Sequence, residues 1–456
     1  MNAWQLELTA FDLMRDGALL GGALLVATIL RHRVRFFQRY LIPNALIAGF
    51  LGLIIGPEFL GVVPISLERM GAYVYHLLAL TFICVGLKGG SGRRSYAAIH
   101  LGFMQVMCMT LQALVGLAIL LALHFMVDPG TVPAAGLLLP LGFAMGPGVA
   151  FSIGESWSQF GFPEGASVGL TMAAVGFLVA YVVGVGLVHR HDRIGTQLPL
   201  SVRTGVLSDG ERAIAGRLTL SPAAVEPLAF HLGMVALVYG LAYLATFGLA
   251  NGLELLGRPQ EVAVVWSFHF ILANLIALSV RWILGATGAT RVLDGGLLDR
   301  LTGVMADYLI AASIMAISLT IAWRYALPII LMAGSGGLVT FYALRFASRR
   351  LFKHYQFERF IGIFGQMTGT VTSGLALIRI LDPEYRSPVA QDLVLSSAIA
   401  LALGFPLLAA ISIPFTVYEG RIEGYFVLAG LLAAYFVVFM TGWWLYARQS
   451  TEDTPV

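Results

Sequence analysis

Charge is what this chain lacks most. Asp, Glu, Lys and Arg together make up 12% of its 456 residues, against 58% for apolar types. A soluble domain carries about 25% charged residues, so this chain cannot cover itself with a polar surface, and a water-soluble globular protein is excluded. Lysine occurs twice, as Lys88 and Lys353, and cysteine twice, as Cys84 and Cys108. Both cysteines lie in apolar runs, which leaves no disulfide framework and no thiol metal motif. The formal charge of +3 is too small to imply nucleic acid. The first twenty residues hold Glu7, Asp12 and Asp16 against Arg15 alone. That is unlike the basic start of a cleaved signal peptide, so the first apolar run is expected to persist as a helix.

What the chain has instead is long, unbroken apolar runs, with a mean hydropathy of +0.83. Strands of a membrane barrel alternate apolar and polar residues; these runs do not. The class expected is an all-α polytopic membrane protein. Segments fall near 17–30, 41–56, 70–87, 97–126, 132–153, 166–188, 225–249, 262–280, 301–322, 326–344, 361–380, 391–415 and 424–446.

Basic residues favour the cytoplasmic side of a membrane. If every segment spans, the alternation of basic loops fails after 132–153. It is restored if 132–153 enters and leaves on the outer face and 361–380 on the inner face. Inner loops then hold 23 of the 28 Lys and Arg residues, with the N-terminus outside and the C-terminus inside. The expected plan is eleven spans and two re-entrant hairpins. Residues 1–188 form a first repeat and 189–222 a cytoplasmic linker. Residues 223–416 form a second, inverted repeat, and 417–456 an appended C-terminal helix and tail. Inverted repeats with broken helices are the architecture of many secondary transporters.

Bare backbone at membrane depth survives only against protein or a wet cavity. The first hairpin breaks at Gly142, Gly146, Pro147 and Gly148 and the second around Gly365 to Gly374. Their tips are expected to meet near mid-membrane. Half-helix N-termini there suit a carboxylate, and unwound carbonyls with Thr and Ser oxygens suit Na+. The expected substrate contacts are Gly146, Pro147, Gly148, Ser152, Gln366, Thr368, Gly369, Ser373 and Asn274. Thr370, Thr372 and Ser396 are the candidate Na+ ligands, and Asp307 is a further intramembrane carboxylate. His76, His231 and His269 read as core or interfacial residues. Gly165-Ala166-Ser167-Val168-Gly169 matches a serine-hydrolase elbow, but that motif needs a strand-to-helix turn and this one opens an apolar helix; an intramembrane serine hydrolase is the alternative of another class. The chemistry expected is binding and translocation rather than bond breaking.

The stretch from Phe160-Gly161-Phe162 through Gly165–Leu178 to Arg190 resembles the bacterial sodium/glutamate symporter family, as do Tyr40-Leu41-Ile42-Pro43 and Gly365-Gln366-Met367-Thr368-Gly369. The likeness runs from about Gly17 to Pro414. It implies a homodimer in the bacterial inner membrane, with a scaffold and a mobile transport body holding both hairpins. It also implies elevator-type, sodium-coupled uptake of glutamate or a related small carboxylate, with no cofactor beyond the coupling ion. Another organic anion, or H+ coupling, is the alternative on the same architecture. The family carries histidine where this chain has Pro147 and Gln366.

Overall fold

The computed structural model describes residues 6, 9–89, 95–191, 219, 224–383 and 386–449. The described residues are helical and contain no strand. The linker expected at 189–222 lies outside them, apart from residues 189–191 and 219.

The first half runs α1 (Ala10–Arg33), α2 (Arg35–Arg39), α3 (Asn44–Ile55), α4 (Leu67–Lys88), α5 (Tyr96–Met126), α6 (Leu138–Phe143), α7 (Pro147–Ser156) and α8 (Gly165–His191). The second runs α9 (Pro227–Leu255), α10 (Val262–Ser267), α11 (His269–Ala286), α12 (Gly295–Met315), α13 (Leu319–Arg324), α14 (Ala326–Leu351), α15 (Gln356–Thr368), α16 (Val371–Leu381) and α17 (Val389–Ala410). Then come α18 (Ile413–Thr416) and α19 (Ile422–Gln449). Among the described residues nine helices are long and apolar enough to cross a bilayer: α1, α4, α5, α8, α9, α11, α14, α17 and α19. This is a polytopic membrane protein by composition, helix length and outward-facing apolar surface.

Local chemistry sets the ends of these helices. Thr9 and Asp12 form a reciprocal capping box at the start of α1, which satisfies two of the first-turn donors. At the other end the Gln38 amide, on α2, donates to the carbonyls of Arg31 and His32. Leu41, at φ +50°, then turns the chain into α3 beside Pro43.

Three expected spans differ in detail. The segment near 41–56 forms only the 12-residue α3, about 18 Å long at 1.5 Å per residue, well short of a bilayer's hydrocarbon thickness of about 30 Å. The segment near 262–280 is broken at Phe268. The break is stable because other helices take the freed carbonyls: Ser152 Oγ donates to Ser267 O, and Tyr75 OH donates to Trp266 O. The segment near 301–322 stops at Met315. Ser318 is extended, and the Glu58 carboxylate accepts from Leu319 N–H and Ser318 Oγ, which starts α13.

Helix packing has a simple order. α1 lies on α3, α3 on α12, α12 on α4, α4 on α11 and α11 on α9. A buried ion pair joins α1 to α4: Asp16, fully buried, accepts from Arg69 Nε at 2.6 Å and from Tyr73 OH. The other elements gather on α5 and α8. α5 contacts α14, α17, α6 and the turn at Pro133–Leu137 that leads into α6, and α19 docks along it. Trp443 Nε1 donates to His100 Nδ1 at 2.8 Å, and Phe103 stacks on Trp443.

Candidate functional site

Two pairs of short helices double back on themselves. The first is α6 and α7, joined through Ala144-Met145-Gly146; the second is α15 and α16, joined at Gly369-Thr370. Each arm has 6 to 13 residues, too few to reach across a bilayer. Glycine makes the turns compact. A β-carbon on Gly365 would lie 3.0 Å from Gly374 Cα, so the arms of the second pair touch backbone to backbone.

α8 is the rail on which both pairs lie. Gly154 packs on Gly165, and Ala150 on Gly169, so α7 runs back along the first half of α8. At the far end Leu377 of α16 packs on Gly184, and Phe357 stacks on His191 with centroids 3.7 Å apart. The two pairs therefore approach from opposite ends of α8. They converge at Gly176, where a β-carbon would sit 2.6 Å from Thr368 O of α15 and 2.9 Å from Phe143 Cδ1 of α6.

The turns themselves meet. Gly146, at φ +86°, is the N-cap of α7, and Thr370 is the N-cap of α16. A β-carbon on Gly146 would lie 3.0 Å from Thr370 Cγ2. Positive φ is strained for a residue with a side chain, so glycine here serves both the turn and the approach. Neither cap is closed by a side-chain hydrogen bond. The ladder of α7 starts with Ala150 N–H to Gly146 O, and that of α16 with Gly374 N–H to Thr370 O. The amides of Gly148, Val149, Val371, Thr372 and Ser373 precede those bonds. Two helix N-termini, each with free donors and a positive dipole end, point into one place. The Thr370 and Thr372 hydroxyls stand there 2.7 Å apart, and Thr372 is exposed.

Behind the second turn lies a buried amide network. Gln366 Nε2 donates to Gln105 Oε1 at 2.9 Å and to Ser397 Oγ at 3.0 Å, and Gln105 Nε2 donates to Ser396 Oγ at 2.6 Å. This ties α15, α5 and α17 together. One level along α5, Gln112 Nε2 donates to Thr340 Oγ1 of α14 and to Met367 O of α15.

The predicted residues are distributed as follows. Gly146, Pro147, Gly369, Thr370, Thr372 and Ser373 are gathered at the meeting turns; a β-carbon on Gly369 would lie 2.7 Å from Ser373 Oγ. Gly148 faces the other way, against Leu78 of α4 and Leu309 of α12. Gln366 and Ser396 meet through Gln105, away from the free amides. Two hydroxyls are used on backbone: Thr368 Oγ1 donates to Phe364 O, and Ser396 Oγ to Leu393 O. Ser152 holds the break between α10 and α11. Asn274 packs its Oδ1 against Gly86 of α4, not at the turns. Asp307 is an exposed carboxylate two residues before Leu309 on α12. Ser167 Oγ accepts from Ser318 N–H. His231 sits between Pro227 O and Asp294 N–H, and His76 Nδ1 lies 2.6 Å from Tyr239 OH.

Sequence reasoning passed over Gln105, Gln112 and Thr340. The signal was present: two amides seven residues apart share one face of a 31-residue apolar helix. His269, expected as a core or interfacial residue, is buried, with ring nitrogens 3.1 Å from Trp266 O and from Tyr75 O, and it stacks on Tyr75 at 3.6 Å. Beside it, a cavity of about 20 Å³ among Tyr75, His76, Tyr239, Thr246 and Trp266 has room for one water, not for a solute.

No group of three or more His, Cys, Asp or Glu side chains that could hold a metal ion occurs among the described residues. No protein-family model matches the chain, and no curated protein matches its sequence.

Proposed function

We propose that this chain is a secondary active transporter that carries a small carboxylate, glutamate or a related acidic solute, across the bacterial inner membrane by Na+ symport. The observation that carries the reading is the contact of Gly146 with Thr370: two uncapped half-helix N-termini meet, and free amides converge where a carboxylate would bind. The Thr370 and Thr372 hydroxyls complete the polar surface.

Packing order supports an inverted repeat. The order α1, α3, α12, α4, α11, α9 reads the same from either end when α1 is matched with α9, α3 with α11 and α4 with α12. That is what a two-fold axis between α4 and α12 would produce. On this reading those six helices are the scaffold of a homodimer, and α5, α8, α14, α17 and the two short-helix pairs are the body that moves. Asp307, an exposed carboxylate within α12, favours H+ as the alternative coupling ion.

The test is uptake of radiolabelled glutamate and of dicarboxylates into proteoliposomes under an imposed Na+ gradient. Na+-driven uptake is expected. Gly146→Val is expected to abolish it, because the variant adds a strained φ and a clash with Thr370. Absence of uptake of every acidic solute under both Na+ and pH gradients would refute the reading. Uptake that follows a pH gradient and ignores Na+ would transfer coupling to H+.

A further inference from the structure

We propose that Gln112 and the last turn of α15 form a binding site for a monovalent hard cation, Na+, distinct from the Thr370–Thr372 hydroxyls and from Ser396. The site rests on the transporter reading only for what the ion drives.

Gln112 lies in the middle of α5 and is fully buried. Its amide nitrogen has two protons, and both are committed, to Thr340 Oγ1 at 2.8 Å and to Met367 O at 2.9 Å. These bonds fix the amide plane, because exchanging oxygen for nitrogen would face an acceptor with an acceptor at Met367. Cys108 Sγ also lies 3.6 Å from Thr340 Oγ1, so Thr340 is a positioning residue with its lone pairs occupied. Gln112 Oε1 remains: it is buried, and among the described residues nothing donates to it. A buried amide oxygen left unmatched is costly.

That oxygen lies beside the C-terminal end of a half-helix. α15 stops at Thr368, and the Met367 and Thr368 carbonyls lie past the end of its ladder, at the negative end of its dipole. The Thr368 carbonyl is held against Gly176, where no β-carbon intervenes. The Thr368 hydroxyl is spent on Phe364 O and takes no part. Gln112 Oε1, Met367 O and Thr368 O are hard acceptors, and the nearest amide and thiol protons are already in use. A cation satisfies such a set. A divalent hard cation takes carboxylates; this set has none, which selects a monovalent ion. The site sits directly behind the turn whose far side offers free amides, so ion and carboxylate would bind on the two sides of Gly369-Thr370.

The experiment is thermal unfolding of the full-length protein in detergent, titrated with NaCl against choline chloride at constant ionic strength. Wild type is expected to be stabilised saturably by Na+. Gln112→Leu is expected to raise the half-effect concentration about ten-fold or more, the size of one lost charged contact. Gln112→Glu, which keeps an oxygen at the site but makes it ionisable, is expected to make the half-effect concentration fall as pH rises. An unchanged Na+ response in either variant overturns the site. Uptake by wild type without Na+-dependent stabilisation overturns the site and keeps the transporter reading. Na+ stabilisation lost in Gln112→Leu, with no uptake of any acidic solute by wild type, keeps the site and overturns the transporter.

Discussion

Gly176→Ala tests whether both short-helix pairs converge on α8. The added β-carbon would stand 2.6 Å from Thr368 O and 2.9 Å from Phe143 Cδ1. Relaxed contacts between carbon atoms fall at about 3.5–4.0 Å, so the overlap is roughly 0.6–1 Å. Neither neighbour yields easily. Thr368 O is backbone, and Phe143 is fully buried. Overpacking of this kind costs about 1–3 kcal/mol, while alanine recovers about 1 kcal/mol of helix propensity over glycine. The matched control is Gly334→Ala in α14, where a β-carbon meets nothing within 4 Å; it keeps the propensity gain and has no clash. The two variants should therefore differ by about 1–3 kcal/mol, Gly176→Ala being the weaker. Thermal or denaturant unfolding of both in one detergent at one scan rate reads this directly. Equal stability of the two variants would refute the convergence.

Three further outcomes follow from named contacts. Arg69→Met takes the nearer of two cations from the fully buried Asp16, leaving Arg15 Nε at 3.3 Å, and should cost about 1–3 kcal/mol, read as a lowered unfolding midpoint; Asp16→Asn on that background should recover part of it. Gln105→Leu removes one of the two acceptors of the buried Gln366 amide and should cost about 1–3 kcal/mol, whereas adding Gln366→Leu should cost less than the sum of the two single changes, a comparison that a double-mutant cycle makes. Asp382 lies between α16 and α17. Burial acts to raise its pKa, but donors from Ser387 Oγ, Ser387 N–H and Arg386 N–H outweigh this and hold it below the usual carboxylate value. Because the folded value is the lower one, its contribution is present above the unfolded carboxylate range, near pH 4, and is lost as pH falls through the folded pKa. Amide exchange at Arg386 and Ser387, corrected for its intrinsic rate, should stay flat from neutral pH down to about pH 5 and quicken below about pH 4, and Asp382→Asn should show the fast rate throughout.

Much of the helical plan is visible in hydropathy alone, because long apolar runs have no other stable form in a bilayer. The turns are visible too, since Gly146-Pro147 and Gly369 break apolar pattern in ways a straight helix avoids. Breaks that depend on distant partners are not. Nothing local marks Phe268 as the end of α10; the partners that hold the gap open are Ser152 and Tyr75, from elsewhere in the chain. Hydroxyls mislead for a similar reason. Thr368 and Ser396 have the oxygen a cation needs, but each spends its proton on a carbonyl three or four residues back, a use that sequence cannot tell from ligation. Gln105 and Gln112 were the opposite case: amides in an apolar run whose partners, on α15, α14 and α17, only the fold brings near.

The middle of α8 is wound as a π-helix over Val179–Val183. A π-turn absorbs one residue more than an α-turn, which is how Gly176 and Gly184, eight positions apart, come to serve neighbouring stretches of the same contact surface. An indel therefore does not have one effect along this helix. Removing a residue from the widened stretch returns it to regular winding and leaves both glycines in step, whereas removing one between Gly169 and Gly176 turns everything beyond it by about 100°. The molecule carries its slack at one place, midway between the two elements that the helix has to keep in phase.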